Sequence, residues 1–144
     1  MARGKSGSRG RGAPPGDPQA AFQRAVTDYE AGRYRQARRA LAPLLDLPDR
    51  DGYVTLLAGL VDVALADWKA AEKRLTAAAE RLPQRMEAWM GLGNARYALG
   101  DLEAAIHAYR RAVELQPGNA AAWNNLGIAH AEMRRDHDDL PFVE

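Results

Sequence analysis

The chain has 144 residues, enough for one folded domain with a real core and too few for two. Hydrophobic residues make up 47% of it, led by alanine with few aromatics, which favours close helix packing over a sheet sandwich; the absence of cysteine excludes disulfides, thiolate zinc sites and cysteine nucleophiles. The net charge of +1 is unevenly spread, ten Lys/Arg against five Asp/Glu in residues 1–50 and ten against fourteen in residues 51–144.

Residues 1–17, beginning MARGKSGSRGRGAPPGD, are basic and rich in Gly, Ser and Pro. Such a segment buries too little to offset its ordering entropy and is expected to be a disordered tail. No apolar stretch follows its charges, so it does not read as a secretory signal. Its Gly4-Lys5-Ser6 lacks the earlier glycine and strand that a phosphate-binding loop requires. The longest apolar run, Tyr53 to Val61, is far shorter than the roughly 20 residues that cross a membrane. A cytoplasmic protein with no membrane contact is expected.

From residue 18 onward the chain repeats every 34 residues. Gly59, Gly93 and Gly127 share one register, with Ala25 a period earlier. Ala37, Ala71 and Ala105 form a second column; Gly32, Ala66 and Gly100 a third; Leu41, Leu75 and Tyr109 a fourth; Pro83 and Pro117 a fifth. Each period reads as two helices. Residues 18–51 and 52–85 are the first two repeats. In the third, 86–119, Met86 to Leu99 carries a helical stripe at Trp89, Leu92, Ala95 and Leu99. Gly100 ends that helix and Asp101 caps the next, Leu102 to Leu115, which Pro117 stops. The helix glycines are expected to face alanines, Gly93 with Ala105 and Gly59 with Ala71, so that two backbones approach closely. Residues 120–134 open a fourth repeat whose second helix is missing, and 135–144 read as an acidic tail. The fold expected is all-α, a stack of antiparallel helix hairpins.

Trp89-x-x-Leu92-Gly93, Ala105-x-x-x-Tyr109, Ala112 and Pro117 resemble the tetratricopeptide repeat pattern, and Trp123-x-x-Leu126-Gly127 restarts it. Repeat 2 has Thr55 in place of the tryptophan, and repeat 1 keeps Tyr29, Gly32, Tyr34, Ala37 and Leu41. The resemblance implies a right-handed superhelical solenoid whose first helices line a concave groove for peptides. Carried over residue by residue, it assigns to the groove Phe22, Val26 and Tyr29; Tyr53, Leu56, Leu57, Leu60 and Val63; Met90, Asn94 and Tyr97; and Asn124, Asn125 and Ile128. Phe22 and Val26 stand where some family members grip a terminal carboxylate with Lys and Asn, so a carboxylate clamp is not supported. The implied function is a non-catalytic scaffold for a protein or peptide partner.

Elsewhere the chemistry is sparse. Asp136, His137, Asp138 and Asp139 are adjacent and lack the spacing of a closed metal site. His107 and His130 have no nucleophile and orienting acid beside them, so no catalytic set and no cofactor is expected. Arg24, Arg33, Arg35, Arg38 and Arg39 attract phosphate in principle, but they alternate with core positions as a solvated face does, which disfavours nucleic acid. Two rivals to the scaffold stay open. One is a helper domain of a larger enzyme. The other is a homo-oligomer in which a second copy stacks on the open face of Ala121 to Met133, where Leu126, Ala129 and Met133 await a partner. Leu140 to Val143 folding back over that face is a further alternative.

Overall fold

A computed structural model describes residues 16–138; the expected basic tail up to residue 15, Asp139, and the fold-back of Leu140 to Val143 lie outside the described residues. Among those described there are seven α-helices and no strand: α1 (Pro18–Glu30), α2 (Tyr34–Leu41), α3 (Tyr53–Ala64), α4 (Trp68–Arg81), α5 (Met86–Ala98), α6 (Leu102–Leu115) and α7 (Ala120–Asp138). A short 3-10 stretch, Ala42–Asp46, follows α2, where Pro43 cannot join the α-helical ladder. The chain forms three hairpins, α1/α2, α3/α4 and α5/α6, with α7 packed on α6, and each helix lies mainly against its neighbours in sequence. The first helices also touch one another, α1 with α3 and α3 with α5. This is a solenoid of helix hairpins.

The starts and stops follow local chemistry. Asp17 caps α1, its carboxylate accepting from the Gln19 and Ala20 amides at 3.1 and 3.4 Å, and Pro18 fills the first helical position. The hairpin turns use one column. Gly32 and Gly100 adopt φ of +80° and +87°, and Ala66 is forced to +60° in the same place. At each turn the next amide reaches back to a carbonyl five residues earlier, Arg33 to Asp28, Asp67 to Asp62 and Asp101 to Arg96, at 2.7, 2.8 and 2.9 Å. That bond closes the helix end while the chain reverses.

Alanine makes the packing close. Ala25, Ala37, Ala71, Ala105 and Ala129 are completely buried where helices cross. The helix glycines make room for residues larger than the alanines named from sequence. A Cβ at Gly93 would lie 2.5 Å from the Tyr109 ring, and one at Gly59 would lie 2.6 Å from the Leu75 side chain. Each glycine is a slot for the large residue of the second helix, one turn after the alanine named from sequence. The core runs through the whole stack as a chain of clusters, each shared by consecutive hairpins: Leu41 with Val61, Leu75 with Leu92, and Tyr109 with Leu126.

Charge also ties the repeats together. Asp62, 1% exposed, accepts from Arg38 of the first hairpin at 2.8 Å and from Arg74 of its own at 2.6 Å. One period later the polarity is reversed: Arg96 sits at the Asp62 position and approaches Glu72, the counterpart of Arg38, at 3.9 Å. Arg96 also donates to the Ala104 carbonyl at 3.1 Å. At the far end, α7 continues to Asp138, so the start of the expected acidic tail is helical.

Candidate functional site: the groove along the first helices

Two hollows lie end to end on the face made by the first helices. One, of about 250 Å³, is framed by Tyr29 of α1, Leu60 and Val63 of α3, and Met86, Glu87 and Met90 of α5. The other, of about 130 Å³, is framed by Tyr97 of α5, Tyr109 of α6, and Asn125 and Ile128 of α7. Asn94 lines both and joins them into one groove. Gly91 forms part of its floor because any side chain there would strike Leu75 at 2.9 Å and Leu60 at 3.1 Å.

Asn94 sits at the centre of a small polar network. Its Oδ1 accepts from the Tyr109 hydroxyl at 2.6 Å and from Asn125 Nδ2 at 3.2 Å. Those bonds fix the amide so that Nδ2 of Asn94 and Oδ1 of Asn125 keep their hydrogen-bonding capacity for a ligand. One is a donor and the other an acceptor, the pair that an extended backbone offers in return. The low-polarity surroundings show in the tyrosines. Burial, helped by nearby Tyr97, pushes the Tyr109 phenol up to about 12. Burial, together with Tyr34 and Glu87, also raises Tyr29.

The residues expected from sequence divide into two groups. Tyr29, Leu60, Met90, Asn94, Tyr97 and Asn125 all line the groove, as do Val63 and Ile128. The others do not frame either hollow. Leu56 and Leu57 are buried, at 7% and 8% exposure, so their side chains belong to the core. Phe22 and Val26 pack against the first core cluster, around Ala25 and Leu41. Tyr53 lies beneath the Arg85 guanidinium, 5.0 Å from its ring centroid, and accepts from it at 3.2 Å. Asn124 points to solvent. Helical geometry turns Leu56 and Leu57 inward, whereas Val26, Tyr53 and Asn124 share the registers of Leu60, Glu87 and Met90 and differ from them in their place along the stack.

Met86, Glu87 and Gly91 line the groove and were not among the residues expected from sequence; Glu87 is the charged one. Glu87 occupies the register of Tyr53 one repeat on, so the carry-over that named Tyr53 names it too. Tyr109, placed by sequence only in the column of Leu41 and Leu75, reaches the groove because Gly93 lets its ring pass.

A larger hollow, about 280 Å³, lies on the opposite side among α2, α3 and α4. Its polar groups are Arg38, Asp62, Asp67 and Arg74, already bonded to one another. It is a repeat junction. Among the described residues no group of three His, Cys, Asp or Glu is placed to hold a metal ion, and no helix is long and apolar enough to cross a membrane.

With this geometry in view, residues 93–133 match the family model described as TPR repeat. That stretch, from α5 to α7, is similar to TPR repeats. No curated protein matches the chain in sequence. Solved structures share the fold. The first TPR of Spaghetti (RPAP3), bound to the HSP90 peptide SRMEEVD, superposes with a TM-score of 0.75 at 22% identity, over 81% of this chain and 93% of that one. MamA from Desulfovibrio magneticus RS-1 gives a TM-score of 0.76 at 25% identity, over 85% of this chain and 68% of that one. The second TPR domain of human RPAP3, in complex with the HSP70 peptide SGPTIEEVD, gives 0.70 at 20% identity, over 79% and 98%. Successive hairpin starts here pair a tryptophan with the preceding turn in the same way: Trp89 donates to the Pro83 carbonyl at 3.0 Å and Trp123 to the Pro117 carbonyl at 2.7 Å.

Proposed function

We propose that the protein is a non-catalytic interaction scaffold whose groove holds an extended, apolar, neutral-to-basic segment of a partner protein. The observation that carries this reading is the Asn94 network, which leaves one amide donor and one amide acceptor between two apolar hollows. Met86, Met90, Leu60 and Val63 supply apolar surface, stabilising a buried ligand side chain by about 25 cal/mol per Å². Methionine adapts to different side chains, which suits a groove that takes a class of segment more than one fixed shape.

The chemistry argues against the acidic ligands of the RPAP3 domains. Both of their peptides carry two glutamates and an aspartate. Here Phe22 and Val26 leave no cation at the places where a carboxylate grip would stand, and Glu87 projects into the groove. A like charge there repels an acidic segment and attracts a basic one.

Selection of short random peptides on the immobilised chain, with a Met90→Asp variant as counter-selection, tests the proposal. Apolar sequences with Lys or Arg should emerge, and Asn94→Leu should weaken them by about tenfold, the loss of roughly one hydrogen bond. Recovery of acidic sequences, or of peptides indifferent to both substitutions, would place binding elsewhere.

A further inference from the structure

The two hollows of the groove are lined by one charged side chain, Glu87. It is exposed and stands beside Tyr29 and Met86 in the first hollow. No ion pair among the described residues involves it. The cation nearest in sequence, Arg85, is engaged elsewhere. Its guanidinium lies 5.0 Å from the Tyr53 ring centroid and donates to the Tyr53 hydroxyl at 3.2 Å. A carboxylate in the first turn of α5 suits the helix dipole. That accounts for an acid at this end of the helix, and not for one that faces an otherwise uncharged groove.

Beside the carboxylate stands an aromatic ring. Tyr29 lines the same hollow and is braced by Tyr34, with ring centroids 5.6 Å apart and planes at 60°. Burial, Tyr34 and Glu87 together raise the Tyr29 phenol, so it keeps its proton and adds no second negative charge. A carboxylate and an aromatic ring side by side attract one kind of group, a cation. A guanidinium meets both at once. Its plane stacks on a ring while its edge gives two parallel hydrogen bonds to a carboxylate, which a lysine ammonium does not. The rest of the groove sets the spacing. Asn94 is seven residues beyond Glu87 on α5. Those two turns rise about 10.5 Å, which an extended chain covers in about three residues. Side chains two and four residues from the cation share its side of such a chain, towards Met90 in the first hollow and Tyr97 in the second. The residue between them brings its backbone to Asn94 and Asn125.

We propose that the Tyr29–Glu87 end of the groove is an arginine subsite. An extended segment of a partner protein places one guanidinium between the Tyr29 ring and the Glu87 carboxylate, with apolar side chains two and four residues away in the two hollows. This rests on the groove reading above and fixes the identity of the ligand's cation and its register.

The test uses the full chain and two synthetic peptides, acetyl-Gly-Arg-Ala-Leu-Ala-Leu-Gly-amide and the same residues in reverse order. Each is also made with citrulline, which keeps the shape of arginine and loses its charge. In one of the two orders the arginine peptide should bind about tenfold more tightly than its citrulline form, as one charge-assisted pair implies, and should move the ring resonances of Tyr29. In the Glu87→Gln chain the two forms should bind alike. Lysine should recover only part of the arginine advantage, and moving the arginine two residues farther from the leucines should remove it. Equal binding of arginine and citrulline forms to the unaltered chain overturns the subsite and leaves the groove standing. So does an arginine advantage that survives Glu87→Gln. Binding of none of the four peptides overturns the groove reading as well. A Tyr29 shift on removing residues 1–15, with no peptide present, would give the subsite to the chain's own basic residues. A concentration-dependent mass abolished by Glu87→Gln would give it to a second copy. Either result overturns the proposal.

Discussion

Tyr109 joins core and groove in one side chain: its ring fills the slot at Gly93 and its hydroxyl fixes Asn94. Adding a methyl at Gly93 forces a rigid aromatic ring aside, and overpacking of this kind costs about 1–3 kcal/mol. Gly93→Ala should therefore lower the urea midpoint by a corresponding amount without changing the denaturant slope. The phenol carries a second signature. Its pKa is about 12 in the folded chain, against about 10 when unfolded. Below about 10 both states are protonated and the full stability is present; as pH rises from there through 12 the unfolded state loses its proton first and stability falls. Tyr109→Phe should remove that component from a pH series of unfolding curves. Ala66 offers the opposite kind of change. It holds φ of +60° where Gly32 and Gly100 sit in the other two hairpins, a conformation costing roughly 1–2 kcal/mol for a residue with a Cβ. Ala66→Gly should raise the unfolding midpoint; a lower midpoint would show that the turn carries no such strain.

At the scale of elements, α3 begins on a side chain from the preceding loop. Asp49 accepts from the Val54 and Thr55 amides at 3.4 and 2.8 Å and from the Thr55 hydroxyl at 2.7 Å. Burial alone would raise its pKa, but these bonds outweigh it and hold the carboxyl below its ordinary value. The stability it contributes is present above the usual aspartate range, about 3.9, and is lost as pH falls through the lower folded pKa. Asp49→Ala should cost about 1 kcal/mol near neutrality and progressively less in acid, read from thermal melts across that range.

The elements were the legible part of the sequence. Turn chemistry at Gly32, Gly100 and Pro117 marks boundaries locally, and those boundaries stand within a residue or so. What the columns could not decide is which column faces which. Ala105 and Tyr109 differ by one helical turn and share a face, so the pattern alone cannot say that Gly93 serves the tyrosine. Leu56 and Leu60 pose the same problem, and only the second reaches the groove. The extension of α7 was missed for another reason. Arg134 to Asp138 look like a charged tail, yet they contain no glycine or proline to stop a helix, and Arg135 and His137 suit its C-terminal dipole.

At the scale of the molecule, stability runs from hairpin to hairpin through contacts between neighbours. The junction of the first two repeats depends on Asp62, a buried carboxylate between two part-exposed arginines. Removing Arg38 and Arg74 together strands that charge, which costs about 3–5 kcal/mol, whereas Asp62→Leu frees the arginines to water and should cost less. Urea titrations of the two variants decide this; equal losses would mean the carboxylate is not held by the pair. The polarity of the junctions has a consequence for the array as a whole. Arg38 and Glu72 occupy one register on successive second helices, and Asp62 and Arg96 one register on successive first helices. Excising residues 52–85 would set Arg96 against Arg38, and transposing repeats 2 and 3 would do the same. The hairpins are alike in backbone but carry addresses in their charges, so recombination between them, the ordinary hazard of a repetitive gene, yields a chain whose ends repel where they should join.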